Sequence, residues 1–367
     1  MRLVPIGGWT ADHRSAGRPV RVLAGMTVLM AGLLTVAGCQ AGSSSSATPT
    51  FSGGDNVVRV AQTPGVGDAP LFLAFQQGLF RKAGLQVRIT NLGSTRAELT
   101  ALRAGKVDVA FGDYADMFYA QALAQTQAKG HNAKGSLNLV LVADGYDAVA
   151  NTMEVLTLPG KGGAGIVTPA DLKGKSVGTA QAQLMPSNVA GQPYSLDTVA
   201  TQSVLNNASV KPASITWKPL PPEGPQGLIQ SLADHRVDAI LATEPTIFEA
   251  ESQLGAVPVL DSCTGFTANL PLFGYFSSRT FATAHHDTLT VFRNVLLKAQ
   301  ALANSQSAPV RNTLEGSEGM SVQDASLLTI GQYPTTVSVN DLQRVIGLMF
   351  SFNAIPAQPS VKAMIFR

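Results

Sequence analysis

Cysteine is nearly absent from this chain: Cys39 and Cys263 are the only two in 367 residues. No multi-bridge disulfide framework can therefore hold the fold, and its stability must come from a packed core. Charge is sparse as well, at 14% of residues, with 26 Lys and Arg against 24 Asp and Glu. So small an excess gives no electrostatic footprint for a phosphate backbone, and nucleic acid is excluded as a partner. The five histidines, His13, His131, His235, His285 and His286, fall in no metal-ligand spacing with Cys or Glu. Gly-x-Ser-x-Gly is missing too, and nothing supplies a nucleophile, a base and an orienting acid together. The reading is that of a non-enzyme with no cofactor, no metal and no catalytic residue.

The N-terminus is where charge of one sign gathers. Arg2, Arg14, Arg18 and Arg21, with Asp12 the single acid, precede Val22 to Ala37, an uncharged apolar run of about 16 residues. That run is shorter than the ~20 residues of a membrane-spanning helix and reads as the h-region of a signal peptide. Val36-Ala37-Gly38-Cys39 resembles the lipobox of bacterial lipoproteins, in which the cysteine sulfur is lipidated before cleavage. It implies an extracytoplasmic protein whose lipid anchor is Cys39, held to the cell membrane; the competing reading is an uncleaved signal anchor. Residues 39–55, with Ser43 to Ser46 and Gly53-Gly54, read as a flexible tether. Once residues 1–38 are set aside, 22 basic face 23 acidic residues, so the apparent basicity belongs to the leader. Cys263, left without an intramolecular partner, is expected to be a buried small apolar residue.

From Asn56 onward short aliphatic runs alternate with helical patterns. Val57 to Ala61, Leu85 to Ile89, Lys106 to Phe111, Glu154 to Leu158, Ser176 to Ala180, Ile215 to Pro219 and Val237 to Ala242 read as strands. Between them, helices are predicted over Ala69 to Ala83, from a capping box at Thr95 to Glu98, and over Asp113 to Gly130, Ser195 to Asn206, Gly227 to Ala233 and Thr246 to Leu254. After Thr283 the pattern is mainly helical. This is an α/β chain, with a mainly parallel sheet. One unit occurs twice: Leu99 to Ala110 and Leu228 to Ala239 each run amphipathic helix, tight turn, strand opening on Val-Asp, which suggests two similar lobes.

Pro64-Gly65-Val66-Gly67-Asp68-Ala69-Pro70 imitates a dinucleotide fingerprint, but Pro70 replaces its third glycine; Gly174-Lys175-Ser176 precedes a strand instead of following one. What remains are polar loops at strand ends, where helix N-termini present free N–H groups. They are Thr63 to Pro70, Gly112 to Tyr114, Thr179 to Ser187, and Thr243 to Pro245. Candidate ligand-binding residues are Asp68, Ala69, Pro70, Gly112, Asp113, Tyr114, Tyr146, Gln181, Thr243 and Glu244. The alternative role of Asp68, Asp113 and Thr243 is to cap their own helices.

Four segments carry a family resemblance. They are Ala69 to Ala74 with Gly78 to Leu85, Leu102 to Gly112, Asp171 to Gly178, and Val237 to Ala239 leading to Glu244-Pro245. Together they resemble the type II periplasmic binding proteins of ABC importers, in the branch for sulfonates, taurine, nitrate and thiamine-precursor pyrimidines. The resemblance implies two lobes on a hinge, with residues 56–147 and a helical return, 265–367, in one and residues 148–264 in the other. It implies a small-molecule ligand closed between them, and docking on an ABC permease. Other roles left open are a ligand-sensing lipoprotein and an enzyme like the thiamine-pyrimidine synthases, which need a cysteine cluster this chain lacks. The candidate loops, with Asp144 and Asp147, are acidic and contain no arginine. A buried anion there would sit beside unpaired carboxylates, so the ligand is expected to be neutral or amine-bearing. Tyr114, Tyr146, Tyr194 and Tyr275 are candidate walls.

Overall fold

The computed structural model describes residues 56–62, 65–128, 138–160, 165–180, 195–220, 224–318 and 320–367. Cys39, the leader, the tether, Gln181 and Tyr194 lie outside them. The strands are β1 (Val57–Gln62), β2 (Gln86–Asn91), β3 (Val109–Asp113), β4 (Leu139–Ala148), β5 (Met153–Thr157), β6 (Ser176–Ala180), β7 (Thr216–Leu220), β8 (Ala239–Thr243), β9 (Val257–Asp261) and β10 (Leu270–Ser278). The helices are α1 (Ala69–Gln76), α2 (Leu79–Lys82), α3 (Thr95–Arg103), α4 (Tyr114–Ala128), α5 (Leu196–Asn207), α6 (Gly224–Ala233) and α7 (Thr246–Leu254), followed by α8 (Arg279–Ala284), α9 (His286–Ser305), α10 (Ser307–Glu318), α11 (Val322–Leu327), α12 (Val339–Ser351) and α13 (Val361–Met364).

Two five-stranded sheets have matching orders, β2-β1-β3-β10-β4 and β7-β6-β8-β5-β9. In each, the first two pairings are parallel and the last two antiparallel. Strand and helix alternation accounts for the parallel half, through crossover connections. The antiparallel half comes from exchange: β4 hands the chain to β5 in the other sheet, and β9 returns it to β10. The sheets are therefore mixed where alternation alone implied mainly parallel ones. The two crossings, residues 149–152 and 262–269, touch where Thr152 Oγ1 lies 3.8 Å from Cys263 Sγ. Cys263 is buried, as its expected role requires, and burial pushes its thiol up to about 12.

The repeated sequence unit becomes α3-turn-β3 and α6-turn-β8, and β3 and β8 hold the same third place in their sheets. Both turns close on a left-handed residue, Gly105 (φ 64°) and His235 (φ 54°). The aspartate of each Val-Asp then brackets the neighbouring strand. Asp108 donates its N–H to the Arg59 carbonyl and accepts from the Arg59 N–H at 2.8 Å and its Nε at 3.0 Å. Asp238 does the same with Ser176, accepting from its N–H at 2.7 Å and its Oγ at 2.6 Å. Alternate residues face opposite layers, as a two-residue period requires. Val155 and Leu241 belong to the core cluster that includes Val199 of α5, while Leu156 and Ile240 belong to the one formed with Ile229, Leu232 and Ile247 of α6 and α7. In the first sheet Val58 and Val60 pack with Leu71, Phe80 and Phe292, and the Phe80 and Phe292 rings stack at 5.3 Å.

Two local expectations change. The helix read over Ala69 to Ala83 breaks at Gly78, whose φ of 66° continues no right-handed helix. The capping residue of α3 is Ser94, which accepts from Ala97 N–H at 3.2 Å, one place before the threonine assigned to it.

Asp108 is 3% exposed. Asp108→Ala leaves the Arg59 N–H and guanidinium without their acceptor and is expected to lower unfolding free energy by about 1–3 kcal/mol, read from urea denaturation midpoints at constant slope.

Candidate functional site

A cavity of about 410 Å³ opens where the two sheets face each other. From the first sheet and its loops come Gly65, Val66, Gly67, Phe111, Asp113, Tyr146, Leu272 and Phe273; from the second come Met153, Ser195, Asp197, Thr243, Glu244, Pro245 and Thr246; Thr152 sits on the crossing. The position follows from topology. β1, β3 and β8 end here, and beyond the carboxyl ends of parallel strands helices begin with unsatisfied N–H groups. Gly67 is needed for close approach: a Cβ there would meet Phe111 and Tyr146 at 3.2 Å. Phe111 and Asp113, two apart on β3, share one face and line the cavity together. The Phe111 and Phe273 rings stack at 5.5 Å to form an apolar wall.

Of the residues singled out in the sequence, Asp113, Tyr146, Thr243 and Glu244 line this cavity. Asp68, Ala69 and Pro70 do not. All three are buried behind it, because residues 66–68 form a single tight turn that aims Gly65 to Gly67 at the cavity and starts α1 inward. Asp68 occupies the N-cap position without a side-chain capping bond. Gly112 faces the interior, where a Cβ would meet Met117 and Thr95. Tyr114 is a core residue, donating its hydroxyl to Asp144 Oδ1 at 2.7 Å. Tyr275 is likewise buried behind Phe111, at 4.7 Å between ring centroids. Ser195 and Asp197 were read only as the opening of a helix. Their capping pattern, Ser195 with Thr198, was the available signal for a helix end at a strand end.

Three carboxylates and no basic side chain line the cavity among the described residues. Each carboxylate serves the N-terminus of a helix. Asp113 Oδ1 accepts from the N–H of Ala115 at 2.6 Å and of Asp116 at 3.2 Å. Asp197 Oδ1 accepts from Thr198 N–H at 2.7 Å and from the Ser195 hydroxyl. Glu244 Oε2 accepts from Phe248 N–H at 3.2 Å, and its Oε1 from Thr329 N–H at 3.0 Å. Burial pushes all three acids above the usual carboxylate range; at Asp113 the charges of Asp116 and Asp197 add to it. Among the described residues no group of three or more His, Cys, Asp or Glu could hold a metal ion.

Behind the cavity a segment of the helical C-terminal part ties its walls together. Besides Thr329, Gly331 N–H donates to the Tyr146 hydroxyl at 2.8 Å, and Gln332 exchanges backbone hydrogen bonds with Asp147. The Tyr333 hydroxyl donates to the Val66 carbonyl at 2.7 Å. Asp147, next to Tyr146 on β4, is pushed up to about 8 by burial and by the charges of Asp144 and Asp341, against a lowering by Arg344. An acid whose folded pKa is raised stabilises the fold fully only below its unfolded value near 4, and loses that contribution as pH climbs through 8. Melting temperature is therefore expected to fall between pH 5 and pH 8.5, and Asp147→Asn to reduce that fall by at least about 2 °C in thermal scans at both pH values.

The NMT1-like family model matches residues 53–313. A search of curated proteins finds no match. Among solved structures, the periplasmic aliphatic sulphonate binding protein SsuA from Escherichia coli is 18% identical, with 85% of this chain and 97% of that one covered at a TM-score of 0.66. The alkanesulfonate-binding protein SsuA from Xanthomonas axonopodis pv. citri bound to MOPS is 19% identical, with 85% and 98% covered at 0.63. The periplasmic nitrate-binding protein NrtA from Synechocystis PCC 6803 is 12% identical, with 84% of each chain covered at 0.62. The fold is that of the periplasmic binding proteins, and the chain belongs to the NMT1-like family.

Proposed function

We propose that this chain is an extracytoplasmic solute-binding lipoprotein that captures a small molecule between two lobes and delivers it to an ABC import permease. Residues 56–147 and 265–367 make one lobe and 148–264 the other; Cys39 carries the lipid that holds the protein to the cell membrane. The observation that carries this reading is the cavity itself, walled by both sheets and set beside two short crossings. A ligand that touches both walls biases a hinge toward closure by its differential contacts. A tether of 17 residues, 39–55, keeps the receptor concentrated near its permease while leaving it free to turn. The role is binding and not catalysis.

The solute is neutral or amine-bearing. Asp113, Tyr146, Thr243 and Glu244 belong to its walls, joined by Phe111, Asp197 and Phe273. An anion would have to use helix N–H groups that Asp113, Asp197 and Glu244 already occupy. It would also lie beside carboxylates, where one like-charged pair at 4 Å costs about 4 kcal/mol at the effective dielectric of a protein surface.

The test is a thermal-shift screen of the purified protein against sulfonates, nitrate, taurine, pyrimidines and riboflavin, followed by calorimetry. A neutral or amine-bearing solute is expected to bind one-to-one and raise the melting temperature by mass action. Phe273→Ala is expected to weaken it about tenfold through loss of the aromatic wall. Stabilisation by anions alone would contradict the charge reading, and binding indifferent to Phe273 would contradict the cleft.

A further inference from the structure

We propose that the captured solute is a small organic cation, a protonated amine or amidinium on an apolar body, gripped by Asp113 of one lobe and Asp197 of the other. This rests on the capture reading above and names the ligand class of the same cleft.

The two carboxylates belong to opposite walls. Asp113 ends β3 of the first sheet, and Asp197 stands in the first turn of α5, packed on the second. They lie near enough for the charge of Asp197 to act on Asp113. The capping bonds reach each through Oδ1: the N–H groups of Ala115 and Asp116 at Asp113, and the Thr198 N–H and Ser195 hydroxyl at Asp197. Glu244 differs: both of its oxygens are engaged by backbone N–H groups, from α7 and from Thr329, so it positions the wall and does not contact the charge. The space between is apolar, with Phe111, Phe273, Leu272 and Met153. Aromatic faces accept a desolvated cation and repel an anion. No lysine, arginine or histidine lines the cleft among the described residues, and residues 181–194 contain none. Closure without a cation presses like charges together. A cation placed between them reverses the sign of that contact, so binding and closure become one event.

The experiment titrates the purified full-length protein with charge-matched triplets, an amine, an alcohol and a carboxylate on the same phenyl, pyrimidine or butyl skeleton. Amines are expected to bind at least about tenfold tighter than the matching alcohols, with carboxylates undetected. Asp113→Asn and Asp197→Asn keep an Oδ1 for the capping bonds, so melting temperatures are expected to hold. Each is expected to lower amine affinity at least about tenfold and to leave alcohol affinity within about twofold. Carboxylates or sulfonates binding as tightly as amines, or amine affinity unchanged in both variants, would overturn the assignment. Should either variant unfold, the ranking of the wild-type triplets decides the question without it. If no member of any triplet binds, the capture reading itself fails.

Discussion

Three helices, α4, α5 and α7, begin at the cleft, and each has been given a carboxylate from its own chain: Asp113, Asp197 and Glu244. A bare helix N-terminus carries about half a positive charge and unsatisfied N–H groups, which is why such ends hold anions. Here the capping acids satisfy those N–H groups and reverse the local sign. The same three bonds set the geometry of the cleft, since they fix where each helix starts and which way its first turn points. Burial raises the proton affinity of all three acids, and among the described residues no basic side chain lines the cleft to offset it.

The body around the cleft is built by exchange. Each sheet is completed by a strand that arrives from the other, β10 in the first and β5 in the second, so the two crossings, residues 149–152 and 262–269, join one sheet directly to the other. The strap from Thr329 to Tyr333 adds a further tie, reaching Glu244, Tyr146, Asp147 and Val66 within five residues. Cleft walls from both sheets are thus referenced to one segment.

Much of this could be read from the residues in order. The Val-Asp units at Val107-Asp108 and Val237-Asp238 gave matching places in the two sheets, because a strand that follows an amphipathic helix and a tight turn has little choice of direction. Asp113 was visible as a polar residue ending an aliphatic run, and Phe111 shares its face by the two-residue period of a strand. Tyr114 was lost by one position, since a single step along a helix turns the side chain by about 100° and carries it from cleft to core. Asp68 was lost because a three-residue turn decides which side of the loop meets the cavity. Strands β4 and β10 carry Gly145, Pro271 and Gly274, which weaken any strand pattern, and they pair only with strands distant in sequence. Leu272 and Phe273 were hidden with them.

The central claim is that a cation joins the two walls. Spin labels at Asn91→Cys, the last residue of β2, and Lys218→Cys, midway along β7, both exposed positions, report the distance between the sheets by double electron–electron resonance. The account predicts a distance distribution that shortens and narrows when a bound amine saturates the protein, and that stays at its unliganded value with the matching carboxylate. A distribution unchanged by a saturating amine, or shortened equally by the carboxylate, would contradict it.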